Sequence, residues 1–274
     1  MIRTLEPQDI DAVVALWLAA SLDAHDFIAP EYWQSQVAAM RDVYLPNSES
    51  YVFERDGSIQ GFVSLHEAKL AALFVAPEAQ SAGMGSQLFA RVAQRHPVLQ
   101  LRVYEKNPAA IRFYVQHGFR LLNIETDGET GERELLMDNA VVDREDDSIT
   151  FAFGDSPDMA DDLLARVLAG QKTATCGALA QYADGSEPLP RVGRQDTVLD
   201  GTGRPACIIE TTAVDIQRFE DVSAEFAVAE GEGTYDEWRE GHRSYFERNG
   251  GFDPRMVLVC QRFVVAQVLR SNSP

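Results

Sequence analysis

Lysine is nearly missing from this sequence: among 274 residues only Lys69, Lys106 and Lys172 occur, and arginine carries almost all positive charge. Positive charge as a whole is also scarce, with 24 basic against 43 acidic side chains and a formal charge of −19. A protein that holds long DNA or RNA through its phosphates needs the opposite field, so that class is disfavoured. Cationic or neutral small substrates suit this charge, and a small anionic cofactor in a local site remains compatible with it. Cysteine is equally sparse. Cys176, Cys207 and Cys260 form an odd set without C-x-x-C spacing, which points to a reducing compartment and offers neither a disulfide framework nor a metal-ligand pattern. No apolar run approaches the ~18 residues of a membrane span. The opening MIRTLEPQDI lacks the basic-then-apolar pattern of a signal peptide. Repeats and low-complexity tracts are absent as well. Together these absences predict a soluble, cytoplasmic protein without a membrane partner.

What is present is ample material for a core: 45% of residues are hydrophobic and 24% charged, which excludes a disordered chain. The length exceeds that of a typical single domain, so two domains are expected. The segment NAVVDREDDS, Asn139 to Ser148, is acidic and flanked by strongly periodic stretches, and it reads as the linker. Domains are therefore expected over residues 1–140 and 148–270, both acidic.

In the first half, a short strand Ile2–Leu5 precedes a helix carrying Ile10, Val13, Val14 and Trp17. Strands are predicted at Tyr51–Glu54 and Gly61–Leu65 around an Asp56-Gly57 turn, and at Leu70–Val75. An amphipathic helix with Met84, Leu88, Phe89 and Val92 on one face follows. Leu99–Val103, a helix Pro108–Gln116 ended by Gly118, and the strands Phe119–Glu125 and Glu134–Met137 complete a mixed α/β pattern. The second half opens with a strand Ile149–Phe153 and a helix capped by Ser156-Pro157 and ended by Gly170, its apolar face holding Met159, Leu163, Leu164, Val167 and Leu168. Thr197–Leu199 and Ala206–Val214 read as strands. Thr234-x-x-Glu237 is a capping box opening a helix with Trp238 and Tyr245. Met256–Leu269 reads as one long strand or a hairpin, giving an α+β or small-barrel pattern.

The sharpest motif is Gln80-Ser81-Ala82-Gly83-Met84-Gly85, between an apolar strand and an amphipathic helix. Glycines there permit positive φ and close approach of the backbone, and the free amides of the helix start favour an anion. A diphosphate can bind such a loop without lysine. The run Leu73 to Gly85, with Asn107-Pro108-Ala109-Ala110-Ile111-Arg112-Phe113-Tyr114 and Gly118-Phe119 downstream, resembles the acetyl-CoA-binding core of the GNAT superfamily of N-acetyltransferases. That resemblance implies acetyl-CoA as co-substrate, with Gln80, Ser81, Ala82, Gly83, Met84 and Gly85 on its pyrophosphate. It further implies that the backbone of Phe74 and Val75 pairs with pantetheine, that Asn107 bonds the acyl or pantetheine portion, and that Tyr114 protonates the departing thiolate. The acceptor would be an amine of a small molecule or a peptide. The general base is not legible: His66 and Glu67 at a strand end, and His25 and Asp26 after the first helix, are polar positions that surface solvation explains equally well.

In the second half, Gly170-Gln171-Lys172-Thr173-Ala174-Thr175 matches a helix C-terminus with its glycine cap and nearby lysine. With Ile208-Ile209-Glu210-Thr211-Thr212 and the acidic Glu230-Gly231-Glu232-Gly233, it is also similar to the ASCH domain, a PUA-like β-barrel with helices. Small members of that family resemble 4-N-acetylcytidine amidohydrolases. On that resemblance Thr175 is the nucleophile, Lys172 a neutral or proton-relaying amine whose pKa burial can lower, and Glu232 the acidic partner, with Glu230 fitting almost as well. A nucleoside ligand and no metal would follow. The alternative is a non-catalytic RNA- or nucleotide-binding module that directs the transferase. Many members of that family follow the motif with Thr-x-Arg, where this chain has Thr175-Cys176-Gly177, and the missing arginine speaks against an anchored RNA phosphate; for Cys176 a packing role is expected.

Overall fold

The computed structural model describes residues 1–80, 82–140, 147–182 and 187–269, so Ser81 and most of the expected linker lie outside the described residues. Two compact units result, one built on Met1–Asn107 and the stretch from Tyr114, the other on Pro108–Phe113 and the chain beyond the linker. Both are mixed assemblies of one sheet and several helices, as the patterning implies.

The first unit runs β1 (Ile2–Thr4), α1 (Ile10–Ala24), α2 (Pro30–Ser35), α3 (Val37–Ala39), β2 (Glu49–Arg55), β3 (Ser58–His66), β4 (Lys69–Val75), α4 (Met84–Ala93), β5 (Gln100–Tyr104), the end of α5 (Pro108–Gln116, whose stretch Pro108–Phe113 is counted with the second unit), β6 (Arg120–Thr126) and β7 (Arg133–Asp138). Its sheet has the order β1-β2-β3-β4-β5-β7-β6. The β2–β3 turn places Asp56 at φ 51° and Gly57 at φ 73°, the paired left-handed conformation that suits a tight hairpin. Val13, Val14 and Trp17 of α1 bury against Val52, Phe62 and Ala72 of the sheet. Met84, Leu88, Phe89 and Val92 are the buried face of α4, at the spacing the sequence predicts. The helical segments between residues 30 and 47 are short and carry no clear period, and sequence patterning does not reveal them.

One pairing shapes this unit. All neighbours are antiparallel except β4 and β5, which are parallel and meet only at Lys69↔Gln100. Beyond that pair the two strands diverge, so from Leu70 to Val75 the edge of β4 facing β5 forms no ladder, while its other edge pairs with β3 along its length apart from an irregularity at Ala71.

The second unit contains β8 (Thr150–Phe151), α6 (Pro157–Leu168), β9 (Ala174–Ala178), β10 (Gln195–Leu199), β11 (Pro205–Arg218), α7 (Ala224–Ala229), α8 (Tyr235–Arg248) and β12 (Val257–Val268), with sheet order β8-β10-β11-β12-β9. The strand expected over Ile149–Phe153 contracts to two residues because Phe153 turns into a core with Leu163, Leu164, Val167 and Phe263. Ser156 Oγ accepts from the Met159 amide at 3.3 Å and caps α6. Met159 and Leu168, at the ends of its expected apolar face, are 37% and 46% exposed. The capping box of Thr234 and Glu237 opens α8 as anticipated. β12 is a single strand paired on both sides, to β11 and to β9. Strand β9 and helix α7 were not anticipated: β9 is a five-residue segment of small side chains and acquires strand geometry by pairing with β12. Among the described residues no helix is long and apolar enough to cross a membrane.

Candidate functional site

In the first unit, the diverging strands lead into the glycine loop. Gly83 adopts φ 75° and ψ 8° and stands as N-cap of α4 with no side-chain cap bond, so the first amides of the helix face outward unclaimed by a capping side chain. A Cβ at Gly83 would meet nothing within 4 Å; the left-handed backbone, rather than crowding, is what favours glycine there. Gln80, Ala82 and Gly83 are exposed, Gly85 is half-buried and Met84 is anchored in the core. The Gln80 side chain donates to the Val75 carbonyl at 3.3 Å, tying the loop to the end of β4. Phe74 and Val75 are half-buried on the strand whose edge opens toward β5.

Asn107 precedes α5 and Tyr114 lies within it. Asn107, just before α5, places Nδ2 3.3 Å from His25 Nε2. Tyr114 is 8% exposed and packs edge-on to Phe119, and burial raises its phenol pKa, keeping the proton on the oxygen at neutral pH. His25 is not a solvated loop residue. It stacks on Trp33 with centroids 5.0 Å apart and meets Tyr104 edge-on, and burial pushes its pKa down to about 4, leaving it neutral. His66 and Glu67 are exposed at the β3–β4 turn.

The structure adds carboxylates that patterning does not single out. Tyr104 donates to Asp127 at 3.0 Å and Tyr32 donates to Glu129 at 2.9 Å. Glu134 sits opposite Tyr104 in the β5–β7 register, and burial raises the carboxyls of both Glu134 and Glu105. These acidic groups gather at the open end of β5. Only the Asp127-Gly-Glu-Thr-Gly-Glu132 hairpin loop hinted at them in sequence.

In the second unit, Lys172 is 1% exposed, and its ammonium donates to Glu232 Oε1 at 2.7 Å, to Glu230 Oε2 at 3.1 Å and to the Glu230 carbonyl at 3.2 Å. The ammonium also lies 5.3 Å from the Phe153 ring centroid. Burial alone would lower its pKa, but Glu230 and Glu232 outweigh burial and raise it. Of the two expected states, neutral or proton-relaying, the neutral amine is the one these carboxylates oppose, since they favour the ammonium. Burial likewise works against the Glu230 carboxylate, yet Lys172 and His242 hold its pKa down to about 2. Both acidic candidates therefore contact the same lysine.

Thr175 is not joined to this group. It sits in β9 next to Cys176, so their side chains leave opposite faces of the strand, and the Thr175 hydroxyl forms no hydrogen bond to Lys172 among the described residues. Cys176 is on the Lys172 side: its sulfur, a Glu230 carboxylate oxygen and a His242 ring nitrogen lie within 4.8 Å of one another. Burial and Glu230 push the thiol pKa well above its ordinary value, so Cys176 is no free thiolate. His242, 70 residues from the lysine motif by neither spacing nor pattern, escapes sequence reasoning.

Both halves of the chain resemble known proteins. A GNAT acetyltransferase domain model matches residues 46–121, and an ASCH domain model matches residues 149–267. Peptidyl-lysine N-acetyltransferase YiaC of Escherichia coli K12 is 43% identical over 143 residues, covering 52% of this chain and 98% of that protein. The crystal structure of an ASCH domain from Lactobacillus crispatus JV V101 is 33% identical, covers 44% of this chain and 80% of that one, and superposes with a TM-score of 0.42. The PaiA N-acetyltransferase of Thermoplasma acidophilum in complex with coenzyme A is 17% identical, covers 52% of this chain and 98% of that one, with a TM-score of 0.45. The chain belongs to the GNAT acetyltransferases and carries an ASCH domain in its second half. It is thus an acetyltransferase.

Proposed function

We propose that the first half, residues 1–140, transfers an acetyl group directly from acetyl-CoA to the side-chain amine of a lysine in a protein or peptide, or to a comparable small amine, in the cytoplasm. The observation that carries this reading is the divergence of β4 from β5 ending at the uncapped α4 start and left-handed Gly83. Phe74 and Val75 pair with pantetheine along the open strand edge. The amides of Gln80, Ala82, Gly83, Met84 and Gly85, with Ser81 between them in sequence, take the pyrophosphate, helped by the helix dipole. Asn107, with its amide engaged by the neutral His25, orients the acyl-bearing end. The neutral amine attacks the thioester carbonyl, the C–N bond forms as the C–S bond breaks, the buried phenol of Tyr114 gives its proton to the sulfur, and the proton shed by the amine nitrogen passes to solvent, from which the phenolate is reprotonated. The carboxylates around Tyr104 draw a cationic acceptor, which is the chemistry of the substrate named for the YiaC relative. The test is release of CoA thiol with a panel of lysine-containing peptides and free amines; absence of release with every acceptor defeats the reading.

For the second half, residues 148–270, we propose an amidohydrolase site for an N-acetylated nucleoside, with Glu232 relaying a proton, Lys172 as a fixed cation stabilising the oxyanion, and Thr175 as attacking hydroxyl. Support comes from the Lys172–Glu232 contact. One observation favours the other reading, a non-catalytic nucleotide- or RNA-binding module: Thr175 has no bond to Lys172. Incubation of the full chain with 4-N-acetylcytidine separates them. Cytidine that disappears in Lys172→Ala and Thr175→Ala supports hydrolysis, and binding without turnover supports the module.

A further inference from the structure

Cys176, Glu230 and His242 come from β9, the residue that ends α7, and the middle of α8, three elements held by one core. Their ligand atoms converge within 4.8 Å. We propose that this trio is a binding site for one thiophilic divalent cation of the zinc class. Sulfur, imidazole nitrogen and carboxylate oxygen are the donor types zinc takes at bond lengths of about 2.0–2.3 Å.

Two features beyond proximity point to a ligand. The first is the state of Glu230. One oxygen, Oε2, is held by the Lys172 ammonium, while Oε1 is fully buried and has no hydrogen-bond partner. A buried carboxylate oxygen left unsatisfied is costly, and a cation bound to Oε1 satisfies it while Oε2 keeps its lysine. The second is the imidazole. His242 Nδ1 is 3.1 Å from the Trp238 carbonyl and Nε2 lies 3.6 Å from Glu230 Oε2; with Nδ1–H donating to the carbonyl, a cation that displaces the Nε2 proton finds that nitrogen already aimed at the carboxylate. A histidine whose other nitrogen is fixed by a carbonyl is the usual support of a metal ligand. The Trp238 ring, stacked on the imidazole with centroids 4.5 Å apart, fixes its plane.

Charge also fits. Two carboxylates, Glu230 and Glu232, face a single ammonium in this buried region. When the cation enters, the Cys176 S–H bond breaks, the proton leaves to solvent and the sulfur–metal bond forms; any proton on His242 Nε2 leaves likewise. The trio is not a cysteine–histidine nucleophile, because a carboxylate beside the sulfur disfavours a bare thiolate unless a cation compensates it. The ligand positions, 176, 230 and 242, follow no short spacing motif, so the cysteine pattern alone did not reveal them.

The experiment uses the full chain stripped with a chelator and titrated with Co²⁺. Expected are one cation per chain, a sulfur-to-cobalt charge-transfer band that Zn²⁺ abolishes by displacement, and a rise in Tm with Zn²⁺. Cys176→Ser removes the band, whereas Cys207→Ser keeps it. His242→Gln keeps sulfur ligation but weakens binding at least tenfold. Retained peptide acetylation shows that each variant is folded in its first half, and far-UV circular dichroism checks the second. No band in the wild-type chain, or an undiminished band in Cys176→Ser, overturns the site; if Cys176→Ser fails to fold, unchanged affinity in His242→Gln does so.

Discussion

At the Gln80–Gly85 loop the chain meets charge with its backbone, and around Lys172 it does so with side chains. In the proposed reading the loop needs no cation, because helix-start amides and a left-handed glycine receive the anion. The Lys172 region needs every member: one ammonium, two carboxylates and a histidine lie together where water is scarce. The difference governs how each fails. A backbone site degrades gradually when its glycine is replaced, whereas a buried ionic cluster that loses one member leaves an uncompensated charge.

The largest expected effect follows from that contrast. Lys172→Met should destabilise the protein by about 3–5 kcal/mol, because Glu230 stays buried without its cation. Urea denaturation measures it, and a loss below about 1 kcal/mol would show that the cluster is not the keystone of its unit. Next, Tyr114→Phe should lower kcat for acetyl transfer by about 10²-fold or more with little change in the KM for acetyl-CoA. Equal activity of the two proteins at every pH would remove the phenol from the reaction.

Acid should separate the units by onset. His25 has a folded pKa of about 4 against an ordinary 6.5, so its contribution is present above pH 6.5 and is lost as pH falls toward 4. Glu230, held at about 2 against 4.5, contributes above pH 4.5 and loses that contribution as pH falls toward 2. Each is worth on the order of 3 kcal/mol. Stability measured from pH 7 downward should thus fall first through His25; His25→Gln should flatten the slope between pH 6.5 and 4, and an unchanged slope would remove histidine as its cause. The smallest effect is at the loop. Gly83→Ala meets no steric obstacle but must hold a positive φ, costing about 1–2 kcal/mol. It should raise the KM for acetyl-CoA severalfold with kcat retained; a KM within error of wild type would detach the loop from the cofactor.

Much of the first unit was legible because its signals are local. Met84, Leu88, Phe89 and Val92 mark one helix face by spacing alone, and Asp56-Gly57 marks its hairpin. The second unit was legible at its caps, Ser156 and Thr234, but not at β9, whose small residues become a strand only against β12. Lys172 was prominent because lysine is rare here. Glu230 and Glu232 were both named as its partners from sequence, but that the two together outweigh burial and keep it charged depends on the distances packing sets.

By itself the sequence determined two mixed domains, a glycine loop at a strand–helix junction, and the identity of the residues able to bear charge. These depend on neighbours a few residues apart, where backbone conformation and periodicity act directly. Tertiary structure alone decided that β4 and β5 part after one pair, that Thr175 turns away from Lys172, and that Cys176, Glu230 and His242 converge. Those outcomes depend on pairing and packing among segments dozens of residues apart, and the electrostatics of a buried group are set by what such packing places beside it.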